Sequence, residues 1–228
     1  MNFLSHFYID RHIQDPYFVL GLATPDLWKG FSNVFNRQIR NAEPWEGGIE
    51  CLSLETGIFR HFKGDRIFHD SEFFQKEKAF MRKSISEIIQ PDRNVKVSFL
   101  GHVLFEILLD RMIMQSYPGC LERYYDLLEA VDEKIVLEYL KLRRLDDGEG
   151  RYFEYFCRFR EQRFLYNYRS PEGVIQSLNR VYNMATGARL EEKYEGELYS
   201  MVPRMDKHLK DQWEGYFFWM KEKLGDAF

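Results

Sequence analysis

The stretch FLGHVLFEILLDRMI, Phe99 to Ile113, constrains the fold more than any other segment. It is nearly all Leu, Ile, Val, Phe and Met, and a helix that is apolar on every side belongs in the interior of a bundle. Yet it carries His102, Glu106 and Asp110 at a constant spacing of four, with Ser98 extending the series. Four residues advance about 400° along an α-helix, so these side chains lie on one stripe, each about 40° from the last. Burying unpaired ionisable groups costs roughly several kcal/mol or more. Compensation has to come from a metal ion or from basic partners on a facing helix. Taken singly, each residue also has an ordinary reading. His102 is a hydrogen-bonded core histidine, Glu106 a partner for an arginine, and Asp110 a surface ion pair beside Arg111.

A second stripe of the same kind weighs against that ordinary reading. In FRHFKGDRIFHD, residues His61, Asp65 and His69 again fall at i, i+4 and i+8, with Asp70 next door. Three of the chain's six histidines lie on these two stripes, each with a carboxylate. Facing helices that present His, Asp and Glu are the way a helical bundle builds a metal site. Imidazole with carboxylate suits Mn, Fe, Zn or Ni without strongly choosing among them. His6, among Leu4, Phe7 and Ile9, and Asp26, in the turn ATPDLWKG, are two further candidates. Their ordinary readings are a satisfied core histidine and a helix N-cap. His12 and His208 sit among charged residues and read as exposed.

Helical periodicity runs along the whole chain and strand signals are scarce, so the expected class is all-α, a compact multi-helix bundle in a single domain over 1–228. Expected helices cover Asn2 to about Ile13, then a short one opened by Asp15-Pro16 and ended near Gly21 or at Thr24-Pro25-Asp26. Residues Phe31 to Gly48 read as mostly loop. Further helices fit Ile49–Phe68, Ser71–Gln90 with a stop at Pro91, Val95–Ser116, Leu121–Arg144, Gly150–Tyr166, Glu172–Thr186 and Leu190–Leu224. The last is expected to break at Pro203. Ser170-Pro171 is a plausible helix start and Gly187 a plausible C-cap.

With 32 basic and 36 acidic residues the net charge is −4, which gives no general attraction to nucleic acid or to an anionic membrane. No apolar run reaches the length of a membrane span. Three cysteines without close pairing and no secretory leader point to a cytoplasmic protein with inert thiols. The basic segment RFREQRFLYNYR, Arg158 to Arg169, reads as a solvated helix face or as a docking surface.

The opening MNFLSHFYI, the turn GLATPDLWKG and the helix GIFRHFKGDRIFHDSEF resemble the acyl carrier protein phosphodiesterase family in order and spacing over the first half of the chain. That family opens Met-Asn-Phe-Leu-Ala-His, continues with a Gly-Asn-x-x-x-Asp-x-x-Lys-Gly turn, and carries a Gly-Ile-x-x-His-Arg-x-Ile-Asp-x-x-Thr-Asp helix. A later helix has an Asp-His pair. The resemblance implies an HD-phosphohydrolase-like helical fold with a divalent metal, often manganese. It also implies hydrolysis of the phosphodiester joining 4′-phosphopantetheine to a serine of acyl carrier protein, which is then the substrate partner. By position, His6, Asp26, His61 and Asp65 match family residues, and His102 stands for the late histidine with Glu106 one turn on. The chain departs from the pattern at Leu22, Phe62 and Gly64, has His69 or Asp70 at the Thr-Asp, and has Gly101-His102 for Asp-His.

The expected ligands are therefore His6, Asp26, His61, Asp65, His69, His102 and Glu106, with Asp26, Asp65 and Lys63 in catalytic roles. Lys29, Arg60, Lys63 and Arg66 are candidates to neutralise a phosphate, or are solvated surface charges. Asp110 or Asp70 is a candidate general base or partner to a histidine. Two alternatives stay open: a metal-dependent phosphohydrolase acting on another phosphate ester, and a helical binding protein without catalysis.

Overall fold

The computed structural model describes residues 1–29, 38–39, 48–89, 95–145 and 151–227. The expected loop at 31–48 falls almost wholly outside the described residues, as do Pro91, Gly150 and the side chain of Lys29. Among the described residues every regular element is helical and no strand occurs. In chain order they are α1 (Phe3–Ile9), α2 (Pro16–Lys29), α3 (Ile49–Asp70), α4 (Glu72–Ile88), α5 (Val97–Ser116) and α6 (Cys120–Glu129). There follow α7 (Glu133–Leu142), α8 (Arg151–Gln162), α9 (Pro171–Thr186), α10 (Glu195–Leu209) and α11 (Trp213–Leu224). Two 3₁₀ turns, Phe164–Arg169 and Glu192–Tyr194, precede α9 and α10.

The apolar segment of the sequence is α5, and it sits where its composition requires. Leu100, Leu104, Phe105, Leu108, Leu109 and Ile113 are fully buried, and α1, α4, α6, α9 and α10 all pack on this helix. The buried side chains form one continuous core. Local start and stop signals act as the sequence indicates. Asp15 Oδ1 accepts from the Tyr17 and Phe18 amides at 2.8 and 3.3 Å, Ser71 caps α4, and Ser170 caps α9. Gly187 ends α9 at φ 74°, a left-handed conformation that glycine adopts without a Cβ penalty.

Proline breaks fewer helices than expected. α2 runs through Pro25, and Asp26 is inside that helix and not at a helix start. An interior proline costs about 3 kcal/mol. Phe18, Val19, Leu20 and Leu22 before it and Leu27 and Trp28 after it are buried, and that area outweighs the cost. α10 likewise contains Pro203 on its exposed side, held by Leu198, Met201, Val202 and Met205, and the chain breaks at 210–212 instead. The expected Leu121–Arg144 helix is two helices, because Asp132 starts α7 by accepting from the Lys134 amide at 2.9 Å. The segment expected to stay helical to Tyr166 leaves α8 at Arg163, which takes φ 44°. His208 is half-buried, stacked on Phe80 at 4.0 Å and 2.7 Å from Oε2 of the buried Glu77, where the sequence suggested an exposed ring. The Arg158–Arg169 cluster is largely ion-paired: Arg160 to Glu133, Arg163 to Glu129 and Arg169 to Glu122.

The contact that positions the site is the crossing of α2 and α3. A Cβ on Gly57 would lie 2.2 Å from the Phe18 carbonyl oxygen and 2.9 Å from Gly21 Cα, and one on Gly21 would lie 2.1 Å from the Leu54 carbonyl oxygen. Backbone atoms cannot swing aside, so the two helices approach this closely only because both positions are glycine. Gly57→Ala is expected to destabilise the protein by at least about 1–3 kcal/mol, the usual range for overpacking. Urea unfolding measures this, and wild-type stability in the variant would contradict the close crossing.

Candidate metal centre

Two stripes on α3 and α5 face each other beneath α1. α1 has no side-chain cap of its own, so its first amides need acceptors from elsewhere. Asp110, fully buried on α5, supplies them. Its Oδ2 accepts from Leu4 N at 3.2 Å, and its Oδ1 from Ser5 N and Ser5 Oγ, both at 2.7 Å. The expected surface pair with Arg111 is absent: Arg111 binds Asp206 and the Tyr168 carbonyl instead. Asp110→Asn would aim an amide N–H at the donors Asp110 now satisfies. It is expected to cost about 1–3 kcal/mol in urea unfolding, and an unchanged midpoint would show that the cap carries no stability.

So anchored, α1 lays His6 over α3. His6 stacks on His61 with ring centroids 3.9 Å apart, and its Nε2 lies 3.2 Å from Asp65 Oδ1. His61 Nδ1–H donates to the Leu22 carbonyl at 2.8 Å, across the glycine crossing. A carbonyl only accepts, so in the neutral ring Nε2 carries the lone pair. That nitrogen is buried without a hydrogen bond among the described residues; Asp65 Oδ2 stands 3.5 Å away and Asp26 Oδ1 3.9 Å. Burial and the neighbouring His61 push the His6 pKa down to about 4 against the pull of Asp65. At neutral pH its ring is therefore uncharged.

One turn further along α3, opposite the α5 stripe, is a second cluster. His69 Nε2, His102 Nε2 and Glu106 Oε1 form a triangle with sides of 3.1 to 3.3 Å. In the inner cluster His6 and His61 are buried and Asp65 is 16% exposed, whereas His69 and His102 of the second cluster are each 32% exposed. The Met1 amino group lies between the clusters, 2.7 Å from Asp65 Oδ1 and 3.1 Å from Glu106 Oε1. Burial lowers its pKa, but Asp65, Glu106 and Asp26 together outweigh this and raise it from 8.0 to about 10. Burial would also raise both carboxyls, yet the Met1 ammonium and the histidines hold Asp65 and Glu106 well below the ordinary carboxylate range.

The seven expected ligands thus divide into two neighbouring groups. His6, His61 and Asp65, with Asp26 beside His61, form one, and His69, His102 and Glu106 form the other. The cations marked in the sequence go elsewhere. Arg60 binds Asp10 and the carbonyls after α11, Lys63 Nζ donates to the Leu224 carbonyl at 2.8 Å, and Arg66 and Asp70 line an outer groove with Tyr216 and Trp219. Sequence reasoning missed the Met1 amino group, which no side-chain pattern signals. It also missed the Asp110–Ser5 anchor, which the uncapped start of α1 would have suggested.

No protein-family model, curated protein or solved structure matches this chain. The chemistry of the site therefore rests on its own geometry and on the motifs of the first half. No described helix is long and apolar enough to cross a membrane.

Proposed function

We propose that this chain is a divalent-metal-dependent phosphodiester hydrolase with an HD-like helical arrangement, working in the cytoplasm. Its proposed substrate is the 4′-phosphopantetheine–serine diester of holo-acyl carrier protein. The observation that carries the reading is His61 Nε2: a buried imidazole nitrogen with its lone pair fixed by the Leu22 carbonyl, aimed at carboxylates, and without a hydrogen bond among the described residues. A ligating histidine held by a backbone carbonyl through its other nitrogen is the usual support of a metal site. His6, uncharged, and Asp65, ionised, complete a nitrogen–oxygen donor set that fits manganese and also admits Fe, Zn or Ni.

A bound divalent ion supplies a hydroxide near neutral pH and polarises a phosphoryl oxygen. The chain's own residues do the rest. Leu22 and the glycine crossing fix the His61 ring. Asp26, brought to 3.9 Å from His61 Nε2 by α2, is a carboxylate placed to accept a proton from water. The Met1 ammonium between Asp65 and Glu106 favours an anionic group at the same place. Lys63, bound to the Leu224 carbonyl, takes no part in this reading. A pocket of about 330 Å³ shares a wall with the N-terminal segment, through Asn2 on the Tyr168 hydroxyl and Phe3 on Phe159. Its Arg158 and Arg180 offer guanidinium groups to an anionic substrate. The three cysteines are unpaired thiols, as a reducing compartment requires.

Incubating the protein with holo-acyl carrier protein and Mn2+ is expected to release phosphopantetheine. Hydrolysis of bis(p-nitrophenyl) phosphate without that release would overturn the substrate and keep the hydrolase. Neither activity, with any of Mn, Fe, Zn or Ni, would overturn both.

A further inference from the structure

We infer that His69, His102 and Glu106 form a metal site of their own, separate from the His6–His61–Asp65 cluster and open to solvent. The two imidazole nitrogens are 3.2 Å apart, and Glu106 Oε1 is 3.3 Å from one and 3.1 Å from the other. Both imidazoles can donate to Glu106 Oε1, which leaves the two nitrogens 3.2 Å apart with no bond between them, so hydrogen bonding closes only two sides of this nearly equilateral triangle. An ion satisfies all three atoms at once. Imidazole nitrogen and carboxylate oxygen bind a first-row ion at about 2.0–2.2 Å, and from there atoms so spaced subtend about 100°, between the octahedral and tetrahedral values.

The triangle is built, not accidental. His102 and Glu106 are one turn apart on α5, and His69 closes the α3 stripe opposite them. Phe74 presses on both rings, with centroids 4.8 Å from His69 and 5.0 Å from His102 at interplanar angles of 88° and 78°, so packing holds the imidazoles in place. Two histidines and one carboxylate on a single face leave the outward positions open, the arrangement that suits Fe(II) and its first-row neighbours and disfavours Ca2+ and Mg2+. With His69 and His102 each 32% exposed, solvent reaches the outer site through both imidazoles, whereas His6 and His61 of the inner cluster are buried. Met1 N lies 2.7 Å from Asp65 Oδ1 and 3.1 Å from Glu106 Oε1, so its ammonium joins a carboxylate of each site and is a donor for a phosphate bound at the outer ion. This last role, anchoring the substrate's phosphate at the outer ion, rests on the hydrolase reading; the site itself does not.

Co2+ binding to the metal-stripped full chain, counted by equilibrium dialysis and elemental analysis, tests the inference. Wild type is expected to hold two equivalents, and His69→Ala and His102→Ala one each. Chelator dialysis of wild type is expected to remove the outer equivalent first. Circular dichroism checks folding, and His69→Asn and His102→Asn serve if an alanine variant does not fold. Two equivalents retained in the His69 and His102 variants would overturn the second site. So would a single wild-type equivalent that these variants keep and His61→Ala loses, which would leave the proposed hydrolase intact. No bound Co2+ in wild type would overturn the second site and the metal-dependent reading together.

Discussion

Arg60→Ala is expected to destabilise the fold by about 3–5 kcal/mol, the cost of stranding one member of a buried ion pair. Arg60 Nε and one terminal nitrogen donate to the two Asp10 oxygens at 2.7 and 2.8 Å. The guanidinium also donates to the Leu224 and Gly225 carbonyls at 3.2 and 2.8 Å, just where α11 ends. One side chain of α3 thus ties the end of α1 to the end of the last helix, with Lys63 on the same Leu224 carbonyl. Removing it leaves the Asp10 carboxylate, 2% exposed, without its countercharge. Urea unfolding should show the loss, and Asp10→Ala/Arg60→Ala should lose less than the two single variants summed, since residues in one pair are coupled. A loss below about 1 kcal/mol for Arg60→Ala would place the pair among weak surface bridges.

His61→Ala is expected to lower diester turnover by at least about 100-fold, the upper range for losing even an outer partner of a metal ligand. The variant removes a nitrogen that makes no hydrogen bond among the described residues, so helical content should persist while metal affinity falls. The readout separates the site from the scaffold: circular dichroism near wild type with metal and activity both lost. A variant that keeps full activity would remove His61 from the centre.

The difference between these two residues shows what the sequence discloses. His61 was legible as a candidate because side chains able to bind a metal repeat at the helical period on facing helices, and His61–Asp65–His69 and His102–Glu106 do so. The helical class and the caps at Asp15, Ser170 and Gly187 were legible for the same reason, since local chemistry decides them. Arg60 looked like a phosphate binder or a solvated surface charge because its partners lie 50 and more than 160 residues away, beyond any local pattern. Asp110 looked peripheral because its partners, Leu4 and Ser5, are set by how α1 docks. Pro25 and Pro203 looked like breaks because propensity is local, whereas burial along α2 and α10 is a property of the whole bundle. The stripes also gave no sign that the candidate residues separate into two groups, which depends on how α1 docks on α3 and α3 faces α5.

The metal content of the purified protein after incubation with Mn2+, set beside that of His61→Ala, is the most direct measurement. At least one tightly held equivalent in wild type, lost in the variant, is the expected result. A metal-free wild type, or a variant that holds as much metal as wild type, would contradict a metal centre between α1 and α3.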